Sequence, residues 1–197
     1  MVRKIAFLAA ATLSALIVPA APSRAEVAVQ AEAGFVVKLT AETTAPQDAA
    51  WRMLIVPAKW WSRDHTWSHD AANLYLDAQA TGCFCEKLPK PADAPAGQRL
   101  GSAEHMHVIF ADPQRGILRM SGALGPLQGE ALNGTLTVTL VKVESGTRID
   151  LEYVVGGYMR LKGDQIAPAV DAMLGQQLAS LAAALNAAMP PNPAPPG

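Results

Sequence analysis

Two residue pairs have the types and spacing to do chemistry: Cys83 and Cys85, the only cysteines of the 197-residue chain, and His105 and His107. A strand sends residues i and i+2 to the same face. Each pair therefore presents two like side chains together. If the two strands are adjacent and antiparallel across the intervening loop, the register in which Cys85 faces His105 also makes Cys83 face His107. Two thiolates and two imidazoles suit zinc or copper in ligand type, whereas a one-residue slip would divide the sets between opposite faces. A Cys83–Cys85 disulfide is the second reading. In a regular strand the two Cα atoms stand about 6.5 to 7 Å apart, at the far edge of a disulfide's reach, so the strand would have to bend, as Gly82 could permit. The third reading is two small apolar thiols. Because Phe84 and Leu88 form the natural inward set on one strand, and Met106, Val108 and Phe110 on the other, the cysteines and histidines are expected on the outer face.

A second cluster, Trp60-Trp61-Ser62-Arg63-Asp64-His65-Thr66-Trp67-Ser68-His69, holds three tryptophans and two histidines four apart. On a helix, His65 and His69 would share a face where zinc could use them. The flanking residues read as loop. The tryptophans then either close one end of a core or rim a pocket mouth. No phosphate-binding loop and no G-x-S-x-G nucleophile turn is present.

The elements that must position these residues follow from patterning. Met1 to Lys4 is basic and Ile5 to Ala21 apolar, with small residues at Ser23 and Ala25, which reads as an export signal over 1–25. That places the mature chain in the periplasm or outside the cell. Loss of Arg3, Lys4 and Arg24, with no acid before Glu26, takes the net charge from -1 to -4. Nucleic acid is not an expected partner, and no later stretch is long enough to span a membrane. The remaining chain is one domain's worth, 26–189, followed by a proline-rich tail at 190–197.

Glu26 to Thr43 reads as one long strand bent at Gly34. Thr44 is the expected cap of a helix over Ala45 to Val56, and Lys59 to Ser62 forms a short second turn. Period-two alternation then predicts a meander of strands over Leu74–Ala78, Gly82–Leu88, Glu104–Ala111, Ile117–Ser121, Gly134–Val143 and Thr147–Tyr158. Val170, Leu174, Leu178, Leu181 and Leu185 make one apolar stripe on a final helix, Gln165 to Ala188.

This order of elements resembles the START-like (SRPBCC, helix-grip) superfamily, in its polyketide-cyclase and chaperone-ATPase-activator homology branch. The matching residues are Thr44-Ala45-Pro46-Gln47-Asp48-Ala49-Ala50-Trp51, Trp60-Trp61, Thr66-Trp67-Ser68, Gly82-Cys83-Phe84 and Gly146-Thr147-Arg148-Ile149-Asp150-Leu151. The resemblance implies an α+β helix-grip fold: a curved antiparallel sheet of about seven strands wrapped around the C-terminal helix, with a short helix pair after the first strand. It also implies a cavity between sheet and helix for a hydrophobic or amphipathic small molecule; the expected ligand is a lipid or aromatic metabolite, and no cofactor is expected. Trp51, Phe84, Met106, Val108, Phe110, Met120, Tyr153, Met173 and Gln177 are the expected lining, with Gln177 as a polar anchor. An alternative is a cyclase or dehydratase using the same cavity, with Tyr153 or Glu86 moving a proton. A chaperone-activating role would require cytosolic ATP-dependent partners and fits poorly with export.

Overall fold

A computed structural model describes residues 24–31 and 34–188. Eight strands form one antiparallel sheet: β1 (Arg24–Ala31), β2 (Gly34–Thr43), β3 (Leu74–Leu76), β4 (Cys83–Leu88), β5 (Gly101–Asp112), β6 (Ile117–Ser121), β7 (Ala131–Val143) and β8 (Gly146–Tyr158). Their spatial order is β1-β2-β8-β7-β6-β5-β4-β3. Among the described residues two α-helices accompany the sheet, α1 (Gln47–Leu54) and α2 (Gly163–Ala188). This is the helix-grip arrangement, a curved sheet closed by its C-terminal helix.

The alternation of apolar residues sets one face of the sheet inward. Phe35, Val37 and Leu39 on β2, Leu136, Val138 and Leu140 on β7, and Ile149, Leu151, Tyr153 and Val155 on β8 are all buried. The stripe Val170, Leu174, Leu178, Leu181 and Leu185 of α2 is buried in the same core. Each such leucine contributes about 1.5 to 3 kcal/mol by leaving water.

The expected first strand is two strands, paired in a hairpin with Ala31 opposite Gly34. Gly34 therefore opens a new strand instead of bending one. The first helix starts at Gln47 and has no side-chain cap. Thr44 does not cap it: its backbone N–H donates to Asn186 Oδ1 at 3.1 Å, and the Thr43 hydroxyl donates to the same oxygen at 2.8 Å. These bonds tie the end of β2 to the last turns of α2. The helical turn expected at Lys59–Ser62 is displaced: two 3-10 turns, Pro57–Lys59 and Arg63–His65, flank that stretch, and residues 60–62 are not helical. The expected signal lies outside the described residues except for Arg24 and Ala25, and the proline-rich tail lies outside them altogether.

Tyr153 shows how closely the sheet is fitted. Its hydroxyl donates to the Gly122 carbonyl at 3.2 Å and accepts from the Leu124 N–H at 3.3 Å, while its ring lies over Gly134. A Cβ at position 134 would fall 2.3 Å from the ring. Gly134→Ala is expected to cost about 1 to 3 kcal/mol by overpacking, read as a lower urea midpoint at unchanged m-value.

Candidate functional site

The site is built by a fault in the β4–β5 ladder. Cys83 pairs with His107 and Phe84 with Met106, but Cys85 pairs with Glu104, so His105 is an extra residue bulged out of register. A bulge of this kind re-aims a side chain. His105 turns to the inner face beside Met106 and is only 6% exposed, its ring 5.1 Å from that of Phe84.

Glu86 meets it there. Glu86 shares the parity of Phe84 and is fully buried, at 0% exposure. A buried carboxylate is costly unless it is hydrogen-bonded, and Glu86 accepts three hydrogen bonds: from the Trp67 N–H at 3.0 Å, the Ser68 N–H at 2.5 Å and His105 Nε2 at 3.0 Å. Burial raises its pKa, but the donors from Ser68, Trp67 and His105 outweigh burial and hold it below the usual carboxylate value. For His105, burial lowers the pKa and the adjacent Glu86 raises it, with burial the larger. The pair at neutral pH is thus a carboxylate and a neutral imidazole. Glu86 accepts the Nε2 proton, which leaves Nδ1 as the unprotonated nitrogen.

His105 lines a partly open cavity of about 370 Å³. Trp61, Asp64, His65, Thr66 and Trp67 form one wall, Leu124 to Leu127 a second, and Ile166, Ala169, Val170 and Met173 of α2 a third. Trp61 is fixed by its indole N–H, which donates to the His65 carbonyl at 3.0 Å, and His65 Nε2 lies 2.9 Å from Gln176 Oε1 on α2. The backbone donors of Trp67 and Ser68 hold the rest of that wall on Glu86. Deeper, between sheet and α2, only about 30 Å³ is open, bounded by apolar side chains and Gln177. That space is room for one or two waters.

The expected lining residues are therefore divided. Met173 borders the larger cavity, whereas Phe84, Met120 and Gln177 border the small void. Gln177 Oε1 accepts the Ser62 N–H at 2.8 Å, and its Nε2 has no partner among the described residues. Trp51, Met106, Val108 and Tyr153 are buried but border neither space. Phe110 is not an inward residue. A second bulge, between Val108 and Phe110, reverses the parity and leaves Phe110 37% exposed with the Arg119 guanidinium 6.0 Å from its ring centroid. Tyr153 is also a poor proton carrier, since burial pushes its pKa up to about 12 and its hydroxyl is committed to the backbone at both ends.

The outer-face cluster is corrected by the same bulge. Cys83, Cys85 and His107 do not share a face with His105, and Glu104 stands where that histidine was expected. The sulfurs of Cys83 and Cys85 and a carboxylate oxygen of Glu104 lie within 4.8 Å of one another, and His107 Nδ1 is 3.2 Å from Glu104 Oε1. The two cysteines are joined as a disulfide across Cα atoms only 5.4 Å apart. The strand is contracted where the register shifts, which removes the spacing objection to that bond. His65 and His69 share no helix face: His65 ends a 3-10 turn and His69 has φ 56°.

No protein-family model matches the sequence, and no curated protein does. Among solved structures, CalU16 of Micromonospora echinospora is similar at a TM-score of 0.55 and 15% identity, over 90% of this chain and 81% of that one. A Rhodobacter sphaeroides protein is similar at 0.54 and 16%, over 84% and 100%. A Rhizobium leguminosarum protein is similar at 0.52 and 19%, over 85% and 99%. At these identities the likeness establishes the shared fold.

Glu86→Ala would leave two backbone N–H groups and a neutral imidazole N–H without their acceptor and is expected to cost about 1 to 3 kcal/mol for each donor that stays buried and unsatisfied. Both members of the dyad have folded pKa values below the ordinary ones, so the unfolded chain binds more protons as pH falls. Their contribution is complete above the usual imidazole value. It is lost first from His105 and then from Glu86 as pH drops through each depressed value. Melting temperature is expected to fall between pH 7.5 and 4.5, and to fall less in a Glu86→Gln, His105→Gln double variant. Equal slopes in calorimetry would remove the dyad from the cause.

Proposed function

We propose that this chain is an exported START-like protein of the polyketide-cyclase branch that binds a hydrophobic or amphipathic small molecule in the cavity between Trp67, Leu127 and the first half of α2. The observation that carries the reading is an apolar cavity of about 370 Å³ with one buried imidazole in its wall. Small-molecule sites combine mostly apolar linings with a few placed polar groups, at roughly 300 to 1,000 Å³. Here Ile166, Val170, Met173 and Trp61 supply apolar area, and His105 supplies the polar contact that fixes orientation. The ligand sits toward the end of the sheet where α2 begins, because the space deeper under the helix is filled. No helix among the described residues is long and apolar enough to cross a membrane.

Met173 is half-buried at the cavity wall, where a larger side chain can occupy the empty space without displacing the core. Met173→Trp is expected to weaken uptake of an anionic naphthalene dye by at least about tenfold, the loss of roughly 1.4 kcal/mol, with the melting temperature nearly unchanged. Equal uptake by both proteins would sink the assignment. Export has its own test, since a signal ending at Ala25 gives an exported chain whose N-terminal sequence begins Glu26-Val27-Ala28.

A further inference from the structure

The wall of the cavity carries more than a hydrogen-bonding group. His105 donates through Nε2 to Glu86, 3.0 Å away. Nδ1 has no hydrogen-bond partner among the described residues and is not among their fully enclosed unpartnered atoms, and the residue borders the cavity. Glu86 cannot turn away, because two consecutive backbone N–H groups grip its other lone pairs. An imidazole whose N–H is fixed by a buried carboxylate keeps one tautomer and one orientation, with a lone pair on the far nitrogen. When Nδ1 takes up a proton, the same carboxylate stabilises the imidazolium.

We infer that His105 is a general base facing the cavity, positioned by Glu86, and that the chain removes an acidic C–H proton from an apolar or aromatic molecule held there. The inference rests on the reading of the cavity as a ligand site. The step needs no other reactant. The C–H proton goes to Nδ1, and the electron pair of that bond stays on the substrate, where it delocalises or expels a group. The other titratable side chains bordering the cavity are Asp64 and His65, both on the facing turn. The second wall, Leu124 to Leu127, and the α2 residues contribute no ionisable group. Burial keeps His105 unprotonated at neutral pH, ready to accept.

The probe is 5-nitrobenzisoxazole, a flat apolar carbon acid. Loss of its ring C–H proton to a base drives cleavage of the N–O bond, forms a nitrile and leaves a coloured phenolate. General-base catalysis is worth about 10² to 10⁴-fold, so His105→Gln is expected to lose that factor in kcat/KM. His107→Gln, on the outer face, is expected to match the wild type. Glu86→Gln removes the charge that raises the imidazole's pKa. It is expected to lower the midpoint of the pH-rate profile, a change that mere loosening of the loop would not produce. Probe binding is followed separately by quenching of tryptophan fluorescence. Binding by wild type and His105→Gln with equal turnover would overturn the base assignment and leave the cavity reading intact. No binding by the folded wild type would overturn both.

Discussion

A carboxylate with no access to water has to be satisfied by protein, and the way Glu86 is satisfied organises one whole end of the molecule. Its three donors come from two places distant in sequence, the Trp67-Ser68 backbone and the His105 ring. Removing one partner from a buried charge costs far more than an exposed ion pair contributes. The loop bearing Trp61 to Ser68 is therefore held against the edge half of the sheet by an interaction that cannot be given up piecemeal. Trp67, half exposed, is fixed through its backbone while its side chain borders the cavity mouth.

The location of the open space follows from what each wall is made of. Strands and helix pack through large side chains that interdigitate, so Leu118, Met120, Leu136 and Val138 facing Leu174, Leu178 and Leu181 leave about 30 Å³. An empty apolar hole under a helix is destabilising in proportion to its volume. Near the start of α2 the facing wall is loop, Trp61 to Trp67 and Leu124 to Leu127, whose backbone N–H groups bond partly to the side chains of Gln177, Glu86 and Tyr153 instead of to a ladder. Loops shaped by their own turns cannot follow the helix surface closely. A cavity persists there, beside the dyad that anchors the loop.

Strand and helix identity were legible because each has a period. Alternation marked β4 through β8, and the three-and-four spacing of Val170 to Leu185 marked α2 to within two residues. Glu86 entered the sequence reading only as a candidate proton carrier; its place between Phe84 and Leu88 on the inner parity was not drawn out, and its partners were not legible. What period-two reading misses is any residue that breaks the period. His105 and Phe110 each follow or form a bulge, and each ended on the face opposite to its expected one. No local composition signals such a break, because a bulge is decided by the partner strand. The hairpin at Gly34 was missed for a related reason. The alternation runs through both strands, and only pairing distinguishes a bend from a reversal.

One inserted residue thus sorts two like side chains into different chemistries. Without the bulge, His105 and His107 would lie on one face, Glu86 would lack its third donor, and the outer face would gather two sulfurs and two imidazoles. With it, the outer face holds Cys83, Cys85, Glu104 and His107, while Glu86 and His105 meet inside. A bulge forfeits part of a ladder, about one net hydrogen bond of roughly 0.5 to 1.5 kcal/mol. The charge-assisted bond it creates to a fully buried carboxylate is worth about 1.5 to 3 kcal/mol. The bulge is therefore the lower-energy register once Glu86 is inside, and Glu86 is inside because Phe84 is. The apolar alternation that builds the sheet places the acid, and the acid selects the irregularity that turns His105 toward the cavity.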